Sequence, residues 1–278
     1  MRTYPLQGSI NLNAVLTMGQ TFAWKKRGEW HVGSIGGQVV RVKTENGGAT
    51  LIADAPDDRP RRYFDAERDM QALRREIALR CPRAARAAAQ FPQIRMLRQP
   101  LWECLAGFLL SSVNNIKRIA RIVENLSQSL GGEQTVGGQK ERAFPSAEAV
   151  AETSIESLYA LGTGFRARGL QAAARAARDG ELDAESLRRA PMEEARQTLM
   201  GLRGVGPKIA DCVLLYALDH ARAFPLDVWM LREMRRIYFK GEERPAAEIQ
   251  AFAQARFGEF AGYAQLYLYH AARMRQRG

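Results

Sequence analysis

The stretch Leu202-Arg203-Gly204-Val205-Gly206-Pro207-Lys208-Ile209-Ala210-Asp211-Cys212, with Asp227 nineteen residues beyond the lysine, restricts this chain more than any other segment. It reads as a glycine turn between two helices. Gly204 and Gly206 can both take the positive φ that a tight turn needs, and Pro207 suits a first helical position. N–H groups exposed at such a helix start bind phosphate, which makes Gly204, Val205 and Gly206 candidate contacts to a nucleic-acid backbone. Lys208 falls at the positive end of the second helix's dipole, where a protonated amine is disfavoured and the nitrogen is a better nucleophile than on a surface lysine. Asp227 comes just before an apolar helical run and closely follows Pro225, as an N-cap would. A backbone clamp beside a nucleophilic amine points to covalent chemistry on nucleic acid.

Composition agrees with that partner without proving it. The net charge is +11 and the sequence pI near 9.9, a balance that favours polyanions but also fits a basic soluble enzyme. Only seven of the 41 cations are lysines, and Lys208 is the single one between Lys140 and Lys240. Arginine makes the better phosphate fork, so an isolated lysine at the turn invites a chemical role. Cys81, Cys104 and Cys212 have no CxxC spacing and are too few for a disulfide frame, so a reducing compartment is expected. His31, His220 and His270 are isolated and lack metal-ligand spacing. No apolar run approaches the roughly 20 residues of a membrane span, and the N-terminus opens no signal peptide.

Short β-rich runs from Trp30 to Asp54, broken by Gly36-Gly37 and Asn46-Gly47-Gly48, predict an antiparallel sheet. Pro56–Arg62 reads as a polar connector and Phe64–Arg80 as an amphipathic helix. Further helices are predicted over Pro100–Val113, Asn115–Leu130, Arg166–Asp179, Glu193–Gly201, Pro207–Leu218, Val228–Phe239, Ala246–Phe257 and Phe260–Gln276. Gly131–Phe144 reads as a glycine-rich loop, and the Ala/Arg-rich stretches Arg80–Gln90 and Gln171–Arg178 as solvated helix faces. The expected class is α+β, mainly α. An N-terminal β element with linking helices spans residues 1–98, and a helical region spans 99–278 with the hairpin at 193–220, its last helices packing back between the halves.

The hairpin resembles that of the helix-hairpin-helix DNA glycosylases, and its wording is closest to the 8-oxoguanine DNA glycosylases of the eukaryotic type. Four further segments are similar in family order: Met18–Trp24, Ser111–Arg118, Leu161–Arg168 and Gly262–Tyr269. The resemblance implies a small antiparallel sheet packed on a helical bundle, with the site in the cleft between helical halves. It implies that Lys208 attacks the sugar C1′ and that Asp227 stabilises positive charge developing on the deoxyribose. The resulting Schiff base opens a route to β-elimination, making the enzyme a glycosylase and a lyase.

Because C1′ is shielded in a stacked duplex, the nucleotide must be flipped and the gap filled. The resemblance makes Phe165 the aromatic wedge, gives Arg118 and Arg166 to the acceptors of the estranged cytosine, and sets Asn114 in the same junction. The resemblance also implies that the Gly19 carbonyl accepts from N7–H, a proton that 8-oxoguanine has and guanine lacks. By the same resemblance Cys212 and Tyr269 are expected to sandwich the base, with Gln265 on its Watson–Crick edge. Three positions depart from the family pattern: Val113 replaces an asparagine that contacts the cytosine, Tyr269 replaces a phenylalanine, and Trp229 replaces a phosphate-contacting histidine. A weaker cytosine preference follows from Val113.

The expected partner is double-stranded DNA containing an oxidised purine, bound by a monomer without a membrane. No cofactor or catalytic metal is required, although such hairpins can hold a structural monovalent cation through backbone carbonyls. Relatives that excise adenine or oxidised pyrimidines carry a four-cysteine iron–sulfur loop, which three scattered cysteines cannot supply. The expected location is the cytoplasm and nucleoid of a bacterium or the nucleus of a eukaryote. Two competing readings are a monofunctional alkylpurine glycosylase, which uses the aspartate alone, and a non-catalytic hairpin DNA-binding module.

Overall fold

Alternating apolar residues build the N-terminal sheet. In this computed structural model, which describes residues 1–275, β1 (Arg2–Pro5), β2 (Trp24–Arg27), β3 (Trp30–Ile35), β4 (Gln38–Glu45) and β5 (Thr50–Asp54) form one antiparallel sheet in the order β1-β5-β4-β3-β2. The β3–β4 register runs from His31 opposite Val42 to Ile35 opposite Gln38. Side chains of successive residues point to opposite faces. Ile35, Val40, Val42, Leu51 and Ala53 therefore share the face that joins the main core, while Val32 and Val39 belong to a small separate cluster. A six-residue helix, α1 (Leu12–Thr17), capped by Asn11, leads into the segment before β2.

The outer cluster corrects one sequence expectation. Residues 131–144 are not a plain loop: β6 (Glu133–Val136) and β7 (Gln139–Arg142) form a hairpin whose Val136 and Ala143 pack on Val32 and Val39. Its two-residue turn, Gly137-Gly138, has positive φ at both positions, as the right-handed twist of a hairpin requires. Gln134 fastens it to the sheet, accepting from the Val39 N–H at 2.8 Å and donating to the Gly37 carbonyl at 2.7 Å.

The helix expected over Phe64–Arg80 is divided. Pro60 sits in the first turn of α2 (Arg59–Tyr63), where a missing N–H costs nothing, so part of the supposed connector is helical. Asp65 then takes a positive φ, and Asp69 caps α3 (Met70–Arg80) by accepting from the N–H groups of Gln71 and Ala72. The next helix, α4 (Pro82–Gln90), buries Ala84, Ala87 and Ala88 against the last helix, so one alanine face is core while its arginines and Ala89 are solvated. Likewise α9 (Ala167–Arg178) buries Ala173, Ala174 and Ala176.

The remaining helices are α5 (Leu101–Leu109), α6 (Ile116–Leu130), α7 (Ala147–Glu152), α8 (Ile155–Ala160), α10 (Ala184–Arg189), α11 (Met192–Met200), α12 (Pro207–Tyr216), α13 (Val228–Tyr238), α14 (Ala246–Phe257) and α15 (Ala261–Arg275). Short α1, α7, α8 and α10 had no expectation attached. Gln276, the expected end of the last helix, lies outside the described residues. One core joins the sheet, α3, α4 and α10 to α15; a second joins α6 to α8, and α5 and α9 contribute to both. Among the described residues no helix is long and apolar enough to cross a membrane.

Candidate active site

The turn between α11 and α12 divides its labour unevenly. Gly204 takes φ 86°, and a Cβ there would stand 3.5 Å from Leu109. Gly206 does not use the left-handed region: its φ is −98°, and it serves as the N-cap of α12 ahead of Pro207. Val205 is buried, and its N–H donates to the Leu202 carbonyl at 3.1 Å, so that donor is spent within the turn. The first turn of α12 still presents N–H groups that the helix itself cannot pair.

Half-buried Lys208 follows directly. Its Nζ donates to Ser111 Oγ at 2.7 Å and lies 5.3 Å from the centre of the Phe108 ring. Asp227 caps α13, its Oδ1 accepting from the Met230 N–H at 2.8 Å, which leaves Oδ2 for other partners. Both side chains line one cavity of about 710 Å³ between the two cores, and Gly19, Cys212, Gln265 and Tyr269 line the same cavity.

Each wall has a local cause. Gly19 has φ 99°, and a Cβ there would lie 3.0 Å from Ile116 Cδ1, so the backbone favours glycine and a side chain would make Ile116 yield. The neighbouring Gln20 is buried and pins this segment: its amide donates to the Arg95 carbonyl at 2.9 Å and accepts from the Leu97 N–H at 3.0 Å. Cys212 is buried, and desolvation pushes its thiol up to about 12 despite the opposing charge of Lys208, so it meets the cavity as a neutral surface. Gln265 donates from Nε2 to the Pro225 carbonyl at 3.2 Å, and its buried Oε1 has no protein partner. Because that carbonyl can only accept, the amide orientation is settled and a bare acceptor is left in the wall.

The Tyr269 hydroxyl, unassigned from sequence, accepts from Arg273 Nη1 at 3.1 Å. Sequence reasoning missed Arg273 and the bond from Lys208 to Ser111. Arg273 follows Gln265 and Tyr269 at helical spacing, a signal that was present; the Ser111 bond crosses 97 positions and left none.

The rim carries the residues expected to meet the opposite strand. Phe165 is 64% exposed and Val113 is 91% exposed, the latter with φ 48°. Arg118 is exposed on α6. Arg166 is not: it is buried, stacks 4.3 Å from the Phe165 ring centre, and donates to the backbone carbonyls of Ser112, Val113 and Thr163. Asn114 likewise spends its amide on its own loop, donating to the Leu110 carbonyl and accepting from the Asn115 N–H, both at 3.0 Å. In this state both hold the rim. Trp229 is 42% exposed beneath the Arg232 guanidinium. Among the described residues no cluster of three or more His, Cys, Asp or Glu side chains is placed to hold a metal ion.

Residues 4–105 match the 8-oxoguanine DNA glycosylase N-terminal domain, and residues 106–258 match the HhH-GPD superfamily of base excision DNA repair proteins. The N-glycosylase/DNA lyase OGG1 of Arabidopsis thaliana is 31% identical over 94% of this chain and 77% of that protein. The chain belongs to the 8-oxoguanine DNA glycosylase family. The solved structure of MBOgg1 with a low-affinity DNA ligand superposes on this 8-oxoguanine glycosylase fold with a TM-score of 0.91 at 34% identity, covering 99% of this chain and 96% of the other. The 8-oxoguanine glycosylase/lyase of Clostridium acetobutylicum, bound to double-stranded DNA with cytosine opposite 8-oxoguanine, gives a TM-score of 0.88 at 26% identity, covering 99% of both chains.

Proposed function

We propose that the chain excises 8-oxoguanine from duplex DNA and then nicks the strand, with Lys208 as nucleophile. One observation carries this reading: Lys208, Asp227, Gly19 and Gln265, whose buried Oε1 has no protein partner, all line a single cavity of about 710 Å³. A buried acceptor without a protein partner has hydrogen-bonding capacity to spare for a ligand N–H, and a flipped purine offers N–H groups along its Watson–Crick edge. Neutral Cys212 and the Tyr269 ring supply the faces, and the Gly19 carbonyl meets N7–H.

As the glycosidic bond breaks, the base leaves with the electron pair and takes up a proton. The Lys208 amine bonds to C1′ and loses a proton, while Asp227 faces the positive charge on the sugar. The aminal opens to a Schiff base; loss of a C2′ proton then expels the 3′ phosphate. Phe165 fills the vacated stack, and Arg118, with Arg166 once it exchanges carbonyl partners for base acceptors, reads the estranged cytosine. Asn114 holds this junction. Gly204, Val205 and Gly206 approach the phosphates of the lesion strand, with Gly206 and the start of α12 supplying the donors. Backbone carbonyls of the hairpin offer a seat for a structural monovalent cation. No cofactor enters any step, and the protein works where duplex DNA is, in the nucleoid or nucleus.

Borohydride added during turnover on an 8-oxoguanine:cytosine duplex traps a covalent adduct, and Lys208→Gln gives none. No adduct with the unaltered chain overturns the covalent step. Release of 3-methyladenine without strand nicking would favour the monofunctional reading instead. Salt-sensitive binding without lesion preference, unchanged in Lys208→Gln, would favour a non-catalytic module.

A further inference from the structure

Arg273 lies one turn beyond Tyr269 and two turns beyond Gln265, so the three share one face of α15 and all line the cavity. It is half-buried, its Nη1 donates to the Tyr269 hydroxyl at 3.1 Å, and its guanidinium sits 5.7 Å from that ring's centre. Among the described residues no carboxylate pairs with it, whereas Arg275, two positions on, pairs with Glu233. Asp227, the carboxylate on this wall, gives Oδ1 to the start of its own helix, and its charge reaches the Tyr269 hydroxyl without forming an ion pair with Arg273.

A phenol that accepts from a guanidinium keeps its own O–H to give. Tyr269 is therefore a donor polarised by a neighbouring cation, and the Arg273 fork retains further N–H groups of its own. Two adjacent donors, one of them cationic and without an ion-pair partner among the described residues, match an oxyanion. The cavity's base is neutral, but each nucleotide that enters brings a charged phosphodiester.

We infer that Arg273 and Tyr269 form a clamp for a phosphate flanking the nucleotide in the cavity. This rests on the cavity being the lesion-nucleotide site. Tyr269 thus has two surfaces, its ring face for the base and its hydroxyl for the backbone. A cation near the end of α15 also complements the helix dipole. That role predicts lost stability and no change in how salt affects DNA binding.

Binding is measured in the Lys208→Gln background, which prevents turnover, on 8-oxoguanine:cytosine duplexes over 50–200 mM salt. Each phosphate contact adds about 0.9 to the slope of log affinity against log salt, so Arg273→Met is expected to lose about 3.5-fold less affinity across that range. Arg273→Lys keeps the slope. Replacing one of the two phosphates flanking the lesion by an uncharged methylphosphonate weakens the parent about tenfold and Arg273→Met hardly further. An unchanged slope in Arg273→Met, or additive losses at both flanking phosphates, overturns the clamp. If the parent shows no preference for the lesion duplex, the proposed function fails first.

Discussion

Lys208 Nζ and Ser111 Oγ are 2.7 Å apart, and the same hydroxyl lies 2.6 Å from the Phe108 carbonyl. A carbonyl can only accept, so the Ser111 proton is committed to Phe108 and its oxygen accepts from the lysine. A neutral Lys208 amine held this way directs its lone pair away from Ser111, free for carbon. Ser111→Ala is expected to lower the single-turnover excision rate about tenfold, roughly 1.4 kcal/mol, with little change in KM. Ser111→Thr restores it. An unchanged rate in the alanine variant removes Ser111 from the mechanism.

Gly19→Ala places a methyl 3.0 Å from Ile116 in a left-handed backbone. Its cost is expected at about 1–2 kcal/mol in urea unfolding. Displacement of the Gly19 carbonyl should also narrow the ratio of binding to 8-oxoguanine over guanine duplexes. Unchanged discrimination in a folded Gly19→Ala protein contradicts the role given to that carbonyl.

Val113 is a β-branched residue at φ 48° on the rim. Val113→Asn is expected to raise the melting temperature, because asparagine tolerates this conformation. It should also increase excision opposite cytosine relative to adenine about tenfold, within the roughly 1–3 kcal/mol of one base contact. Competition between the two duplexes measures the ratio, and no gain would place Val113 away from the opposite base.

Asp211 is buried behind Lys208, between Arg196 at 2.7 Å and the Gln250 amide. Burial raises its carboxyl to about 6 against the pull of Arg196. A folded-state value above the unfolded one means that the native chain binds more protons in between. The Asp211 contribution is therefore full below the unfolded value and is lost as pH rises through about 6. Between pH 4 and 6, wild-type stability is expected to fall by on the order of 2–3 kcal/mol relative to Asp211→Asn. Parallel curves from urea titrations across that range would refute the assignment.

Local spacing made the hairpin, Lys208, Asp227 and the long helices readable from sequence. Tertiary decisions were not. The strands Glu133–Val136 and Gln139–Arg142 are four residues each with Val136 their single buried residue, too little alternation to register, although Gly137-Gly138 was a turn signal. Alanines in α4 fit a solvated or a packed face equally well, and only contact with α15 decides. Arg166 and Asn114 looked outward because their motif faces DNA; their partners before DNA arrives are backbone carbonyls and an N–H that no pattern announces.

Those Arg166 bonds join the loop bearing Val113 to the turn bearing Phe165. The two rim side chains consequently travel as one body. Much of the freedom that separate loops would surrender on meeting a duplex is already gone when the chain folds, and is held until Arg166 gives up those carbonyls for base acceptors.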